Sequence, residues 1–238
     1  LSLLTATFLW ASSFIALKLA FSVYDPMVVI FGRMAIAAVF ILIFLKPLRN
    51  IQFRKKDFKY LLFLGICEPC LYFVFEAIAL ENTSASQAGM ITATLPLIVA
   101  IPAWLILKET LHLKTIIGFF MAIGGVILLS YGSEITENAP NPLYGNFMEL
   151  MAMVSAAGYI IAMKYLSTNY SSLFITSFQA FIGSVFFLPL LFLPSTELPA
   201  TFELVPALCV LYLGIFVTFG AYGAYNYAVS KIPASQAT

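Results

Sequence analysis

The stretch that decides the fold is IALENTSASQAG (78–89), because a second copy of it, YAVSKIPASQAT (227–238), closes the sequence. Both copies contain Ala-Ser-Gln-Ala. At the same spacing along the chain, FLGI (63–66) matches YLGI (212–215). Two further pairs lie upstream in the same order: FIALK (14–18) with IIAMK (160–164), and FGRMAIAAVF (31–40) with SFQAFIGSVF (177–186).

Chance explains four ordered matches poorly, so we interpret them as an internal repeat. It divides the chain into two related domains, which we predict at 1–131 and 145–238, the second incomplete.

The composition places both domains in a membrane. The chain has 238 residues, of which 62% are hydrophobic and 10% charged, and its mean hydropathy is +0.99. A soluble domain is about 45–50% apolar and about 25% charged. A membrane-crossing helix needs roughly 20 mostly apolar residues. Runs of that kind predict eight helices and the start of a ninth near 233, at 2–23, 26–45, 58–80, 84–106, 112–131, 145–166, 172–193 and 204–229.

The repeat is predicted to be inverted. Five predicted helices separate equivalent positions, and because five is odd, the two copies would cross the membrane in opposite directions. Inverted repeats are typical of secondary transporters, which place two related bundles around a site near the middle of the bilayer. A duplicated membrane scaffold without transport is the alternative.

The basic residues predict the orientation, since cytoplasmic loops carry an excess of Lys and Arg. Counting loops in order, the even loops and their helix ends hold ten basic residues and the odd loops none. We therefore predict that the N-terminus and the even loops are cytoplasmic. The ten are Lys46, Arg49, Arg54, Lys55, Lys56, Lys59, Lys108, Lys114, Lys164 and Lys231.

Several classes of function are disfavoured by the sequence. The net charge of +1 gives no general attraction for nucleic acid. One histidine, His112, and three cysteines leave little for a metal centre or a disulfide framework. No phosphate-binding loop of the Walker type occurs, so we expect neither ATP hydrolysis nor a cofactor.

Four stretches of the chain resemble the EamA-type members of the drug/metabolite transporter superfamily. They are LWASSFIALKLA (9–20), DPMVVIFGRMAIAA (25–38), the block ALENTSASQAGMITATLPLIVAIPAWLILKETL (79–111) and GFFMAIGGVILL (118–129). The resemblance implies a ten-helix carrier built from two inverted five-helix repeats, of which this chain would cover about eight helices and the start of a ninth. It also implies a multi-pass protein of the bacterial inner membrane that moves amino acids, related metabolites, sugars or drugs.

Ionisable residues inside the predicted helices are the first candidates for a substrate site, because each is costly at mid-depth unless it faces a cavity or a partner. Glu68, Tyr72 and Glu76 follow one another at four-residue intervals and share one helix face. Glu76 or Glu149 could hold a substrate ammonium or a proton. Arg33 could hold a carboxylate, or it could form a structural pair with a glutamate.

Uncharged candidates complete the set. Trp10 lies within the first predicted helix, away from the interface, and either lines a cavity or packs. Gln87 belongs to the proline-interrupted fourth helix, which is either a gate or a static kink. A polar stripe on the eighth helix is predicted to line the cavity; it consists of Thr218, Tyr222, Tyr225 and Asn226. In the internal repeat, Tyr225 occupies the position equivalent to Glu76.

The leading hypothesis is a secondary carrier that exports amino-acid-like or other small metabolites by alternating access. Its expected partners are a small-molecule substrate and the lipid bilayer, with a proton as the candidate coupling ion. It would act as a monomer or homodimer. The alternatives are a passive channel or a non-transporting scaffold. An intramembrane enzyme is the least favoured, because the sequence contains neither H-E-x-x-H nor G-x-S-x-G.

Overall fold

A computed structural model describes residues 1–44 and 53–232 of the chain. The described part is helical, and its only β-type pairing is an isolated bridge between Thr136 and Ala139. Seven helices are long and apolar enough to cross a membrane. The prediction of an all-helical, multi-pass membrane protein is therefore confirmed. The predicted start of a ninth helix near 233 lies outside the described residues.

Eight helices correspond to the eight predicted runs, and we number them in chain order. Their bounds are Ser2–Phe21, Pro26–Ile41, Lys55–Asn82, Ala85–Leu107, Leu113–Tyr131, Pro142–Leu166, Ser172–Leu190 and Leu204–Lys231.

The second helix is shorter than predicted. Its 16 residues extend about 24 Å at 1.5 Å per residue, and a 3-10 turn, Leu42–Phe44, continues it. The helix begins sharply because the Asp25 carboxylate accepts a hydrogen bond from the Met27 amide at 2.8 Å, and Pro26 occupies the first turn.

Three helices are interrupted near their middles. The third contains a π-helical stretch, Ile66–Leu71, in which Glu68 has extended backbone angles (φ −150°, ψ 118°) and Pro69 supplies no amide hydrogen. The fourth divides between Thr92 and Leu95, just before Pro96, and Pro102 lies inside its second half. The eighth contains a longer π-helical stretch, Leu213–Ala221. Such irregular backbone is tolerated inside a membrane where it is buried in protein or lines a cavity.

The sixth helix lies at the centre of the bundle, and the fifth lies at its periphery. Buried residues run along the whole of the sixth helix, from Pro142 to Leu166, whereas the fifth has no buried residue within the described chain. The sixth helix packs against the third, fourth and eighth. It therefore joins the first half of the chain to the second.

The close approach of the end of the third helix to the sixth helix depends on Gly145. A Cβ added there would lie 2.8 Å from the Thr83 backbone nitrogen and 2.9 Å from the Asn82 carbonyl carbon. Because these are backbone atoms, we expect Gly145→Ala to lower the free energy of unfolding by about 1–3 kcal/mol. Thermal unfolding of the purified protein measures this change. The matched control is Gly124→Ala in the fifth helix, where an added Cβ meets nothing within 4 Å. Equal stability of the two variants would contradict the prediction.

Candidate functional site

A small cavity lies in the middle of the bundle, and we call it the central cavity. Its volume is about 50 Å³, which is room for a few water molecules. The first, second, third, fourth, sixth and eighth helices all contribute side chains. The charged and aromatic part of its lining is Trp10, Phe14, Arg33, Glu68, Tyr72, Phe73, Glu76, Tyr159, Tyr222 and Tyr225.

A larger cavity, of about 520 Å³, lies toward the periphery between the third, fourth, fifth and sixth helices. Its lining is apolar apart from Thr94 and contains no ionisable side chain. The central cavity, although smaller, is therefore the candidate site, because it has the charged groups that could select a substrate.

Arg33 is buried in the wall formed by the second helix and is engaged on three sides. Its Nη1 lies 3.9 Å from Oε2 of Glu76, and its Nε donates a hydrogen bond of 3.0 Å to the hydroxyl of Thr218. The guanidinium also lies 4.3 Å from the ring centroid of Phe73. The predicted pairing of Arg33 with a glutamate is thus present. The pair joins the second helix to the third, and the hydrogen bond to Thr218 joins the second helix to the eighth.

The interruption of the third helix positions its two cavity carboxylates. Glu68 lies in the π-helical stretch and accepts a hydrogen bond from the hydroxyl of Tyr222. One helical turn beyond that stretch, Glu76 accepts a hydrogen bond of 2.9 Å from Tyr72. All three residues of the predicted face, including Tyr72, line the central cavity in spite of the break.

Glu149 of the sixth helix lies behind the cavity lining. It has no exposed surface, and its Oε1 accepts a hydrogen bond of 2.9 Å from Thr92, which does line the cavity. Its Oε2 has no hydrogen-bond partner among residues 1–44 and 53–232. The fourth helix thus connects this third buried carboxylate to the site.

The polar stripe of the eighth helix was predicted to line the cavity, and two of its four residues do so. Tyr222 and Tyr225 line the central cavity, and Thr218 reaches Arg33 from beside it. Asn226 is fully buried and donates to Thr176 at 2.9 Å. Asn226 also accepts a hydrogen bond from Tyr159, so it supports the cavity wall from behind.

Three residues of this network were not predicted from the sequence: Tyr159 on the sixth helix, and Thr176 and Gln179 on the seventh. Gln179 lies 3.2 Å from the Asn226 amide nitrogen. Thr176 and Gln179 are three residues apart and therefore share a helix face. That spacing of two polar residues in an apolar helix was the available signal.

Gln87 lies apart from the other candidates. It occupies the first turn of the fourth helix, where Thr83 lies 2.7 Å from its side-chain oxygen and equally close to Asn146. It is absent from the lining of the central cavity. Thr92, which belongs to that lining, comes five residues later, about 7.5 Å further along the helix. Gln87 therefore lies near the end of its helix and not at the depth of the site.

Comparison with known proteins gives one family and several relatives. The EamA-like transporter family matches residues 1–131 and 143–238. A protein of Bacillus subtilis (strain 168) named "uncharacterized transporter YetK" is 29% identical over 185 residues, which is 76% of this chain and 55% of that protein. The match thus spans just over half the length of this relative.

A second relative carries a more specific name. It is the "probable terminal-alkyne amino-acid exporter" of Streptantibioticus cattleyicolor, 24% identical over 96% of this chain and 75% of its own. A solved crystal structure of a protein aligns with a TM-score of 0.60 over 96% of this chain and 83% of the other, at 19% identity, which supports the fold alone.

Proposed function

Because the chain belongs to the EamA-like transporter family, we propose that it is a secondary carrier that moves small, amino-acid-like metabolites by alternating access, with export as the net direction. We propose the ten-helix inverted-repeat architecture for the complete carrier, with repeats at 1–131 and from 145 onward. The family match to two separate segments and the internal repeat in the sequence support this division.

The observation that carries the proposal is the central cavity itself. It is buried among helices of both halves of the chain, and it combines an acidic wall with an aromatic one. A secondary transporter needs such a site between its repeats. At about 50 Å³ the cavity is smaller than an amino acid, so a substrate enters only after the walls have moved apart.

The charge balance of the site favours a substrate or coupling ion that is positively charged. Glu68, Glu76 and Glu149 are all buried, and Arg33 is the one buried cation beside them in the described chain. Unpaired buried charges are costly. Two of the three carboxylates therefore need protons or a cationic group. A substrate ammonium would supply one such charge, and proton exchange with the substrate would supply the coupling.

The amino-acid-like substrate class rests on two supports. The acidic wall suits an ammonium group, which the aromatic ring of Tyr72 can also attract. The related protein from Streptantibioticus cattleyicolor is named as a probable exporter of an amino acid. A small-molecule substrate, the lipid bilayer and a proton are thus the proposed partners, and a monomer or homodimer is the proposed assembly.

The proposed location is the bacterial inner membrane, with the N-terminus in the cytoplasm. The uneven distribution of basic residues between the two sets of loops supports this orientation. Two of those residues, Lys46 and Arg49, lie outside the described part of the chain.

Counterflow in proteoliposomes tests the proposal. Vesicles containing the full-length protein are loaded with each of the twenty L-amino acids in turn, and uptake of the radiolabelled form is followed. We expect transient accumulation that saturates with concentration for at least one amino acid. Uptake that never exceeds equilibrium would favour a passive channel. No uptake beyond that of empty vesicles for any of the twenty amino acids would favour a non-transporting scaffold.

A further inference from the structure

Two polar atoms in the wall of the central cavity have no partner. The indole Nε1 of Trp10 and the hydroxyl of Tyr225 are both buried, and neither has a hydrogen-bond partner among residues 1–44 and 53–232. Both side chains line the cavity, and their ring centroids are 4.8 Å apart. The pair therefore forms one patch, contributed by the first and eighth helices.

The other polar side chains of the cavity are satisfied. Glu68 accepts a hydrogen bond from Tyr222, and Glu76 accepts one from Tyr72. Glu76 also forms an ion pair with Arg33, and Tyr159 donates a hydrogen bond to Asn226. An indole nitrogen can only donate, and a neutral phenol can donate while its ring packs as phenylalanine would. Phenylalanine at both positions would fill the same space without leaving two buried donors unpaired, which is a destabilising arrangement.

From this pattern we infer that Trp10 and Tyr225 form an anion-accepting subsite that binds the carboxylate of the substrate. The inference rests on the proposed function and makes it specific. Arg33, the other candidate for this group, is already engaged by Glu76 and Thr218. Its guanidinium lines the same cavity, so the lining holds one cation as well as the two carboxylates of the third helix.

The subsite fixes the orientation of the bound substrate in the cavity. The ammonium lies toward Glu68 and Glu76 on the third helix, and the carboxylate lies toward Trp10 and Tyr225. A substrate held in this way contacts helices from both halves of the chain at once. When the walls separate, the two donors gain an acceptor that they lack in the constricted cavity.

The test compares a zwitterion with the amine that remains when its carboxylate is removed. The probes are L-phenylalanine and phenethylamine, chosen because aromatic rings surround the cavity. The variants are Trp10→Phe and Tyr225→Phe, which delete the donors and keep an aromatic ring. Binding of each probe to the purified full-length protein is measured by calorimetry. Thermal unfolding checks that each variant is folded.

We expect each variant to raise the Kd of L-phenylalanine by roughly tenfold to a hundredfold, the range for a lost hydrogen bond to a charged group. The Kd of phenethylamine should change by less than about twofold, because no carboxylate is present to lose that bond. The controls are Trp104→Phe and Tyr227→Phe, which alter exposed side chains outside the cavity and should change neither Kd.

Equal weakening of both probes, or no weakening of either, overturns the inference and leaves the proposed function standing. Failure of the unaltered protein to bind L-phenylalanine also overturns it, and the counterflow experiment then decides the proposed function separately.

Discussion

Replacing Glu76 by glutamine is expected to lower the initial rate of counterflow at least about tenfold, a loss comparable to removing one charge-assisted hydrogen bond. The amount of folded protein should fall much less. Glutamine has the shape of glutamate and still accepts a hydrogen bond from Tyr72, which lies 2.9 Å from the present carboxylate. It lacks the charge that attracts Arg33 and a substrate ammonium.

A folded variant is expected because a change at Glu76 of the third helix leaves the other contacts of Arg33 in place. The Arg33 Nε still donates a hydrogen bond to Thr218, and the guanidinium still lies over the ring of Phe73. The matched control is Glu81→Gln, near the end of the same helix, where the side chain is exposed. That control should transport at the rate of the unaltered protein.

Unchanged transport in both Glu76→Gln and Tyr225→Phe would remove these two residues from any substrate role. A parallel loss of transport and of folded protein in Glu76→Gln would instead assign Glu76 to structure alone.

The positions of the helices could be predicted from the sequence because the energetic signal is large. A helix without enough apolar residues does not stay in the bilayer, so a window of about 20 residues locates each one. The sixth helix, predicted at 145–166, occupies Pro142–Leu166. The second helix, predicted to begin at 26, begins at Pro26, where the Asp25 carboxylate caps it. The family resemblance is likewise confirmed by the family match.

The interruptions could be predicted only where proline marks them. The fourth helix, predicted to be interrupted by proline, divides just before Pro96. The π-helical stretch Leu213–Ala221 was not, since it contains no proline and its composition is that of an ordinary apolar helix. A hydropathy average over a whole helix does not register a change in the backbone hydrogen-bond pattern.

The residues of the candidate site also divide into those that could be predicted from the sequence and those that could not. Tyr72 and Glu76 could be predicted together because helical spacing fixes which residues share a face. Glu68 has extended backbone angles and lines the same cavity in spite of the break. The partners of Asn226 could not, because Tyr159 and Gln179 come from two other helices and only tertiary packing brings them together. Spacing along one helix also could not show that Gln87 lies too near its end to reach the cavity.

Arg33→Leu is the second variant for which a large effect is expected. It leaves Glu76 without its cation and the Thr218 hydroxyl without its donor, both in a buried setting. Breaking a buried ion pair from one side commonly lowers the free energy of unfolding by about 3–5 kcal/mol. We therefore expect less folded protein, lower stability in chemical unfolding, and no measurable counterflow. A variant that folds and transports normally would contradict both roles considered for Arg33.

The double variant Arg33→Leu/Glu76→Leu separates those two roles. If the pair only joins the second and third helices, two leucines can replace it, because apolar residues of similar size often match or exceed a buried ion pair in stability. If the pair also takes part in substrate binding, stability returns and transport does not. We expect the second result, since Glu76 is the carboxylate that faces both Arg33 and the cavity. Recovery of transport together with stability would make the pair purely structural and would leave Glu68 as the remaining acidic residue of the cavity lining for a substrate ammonium.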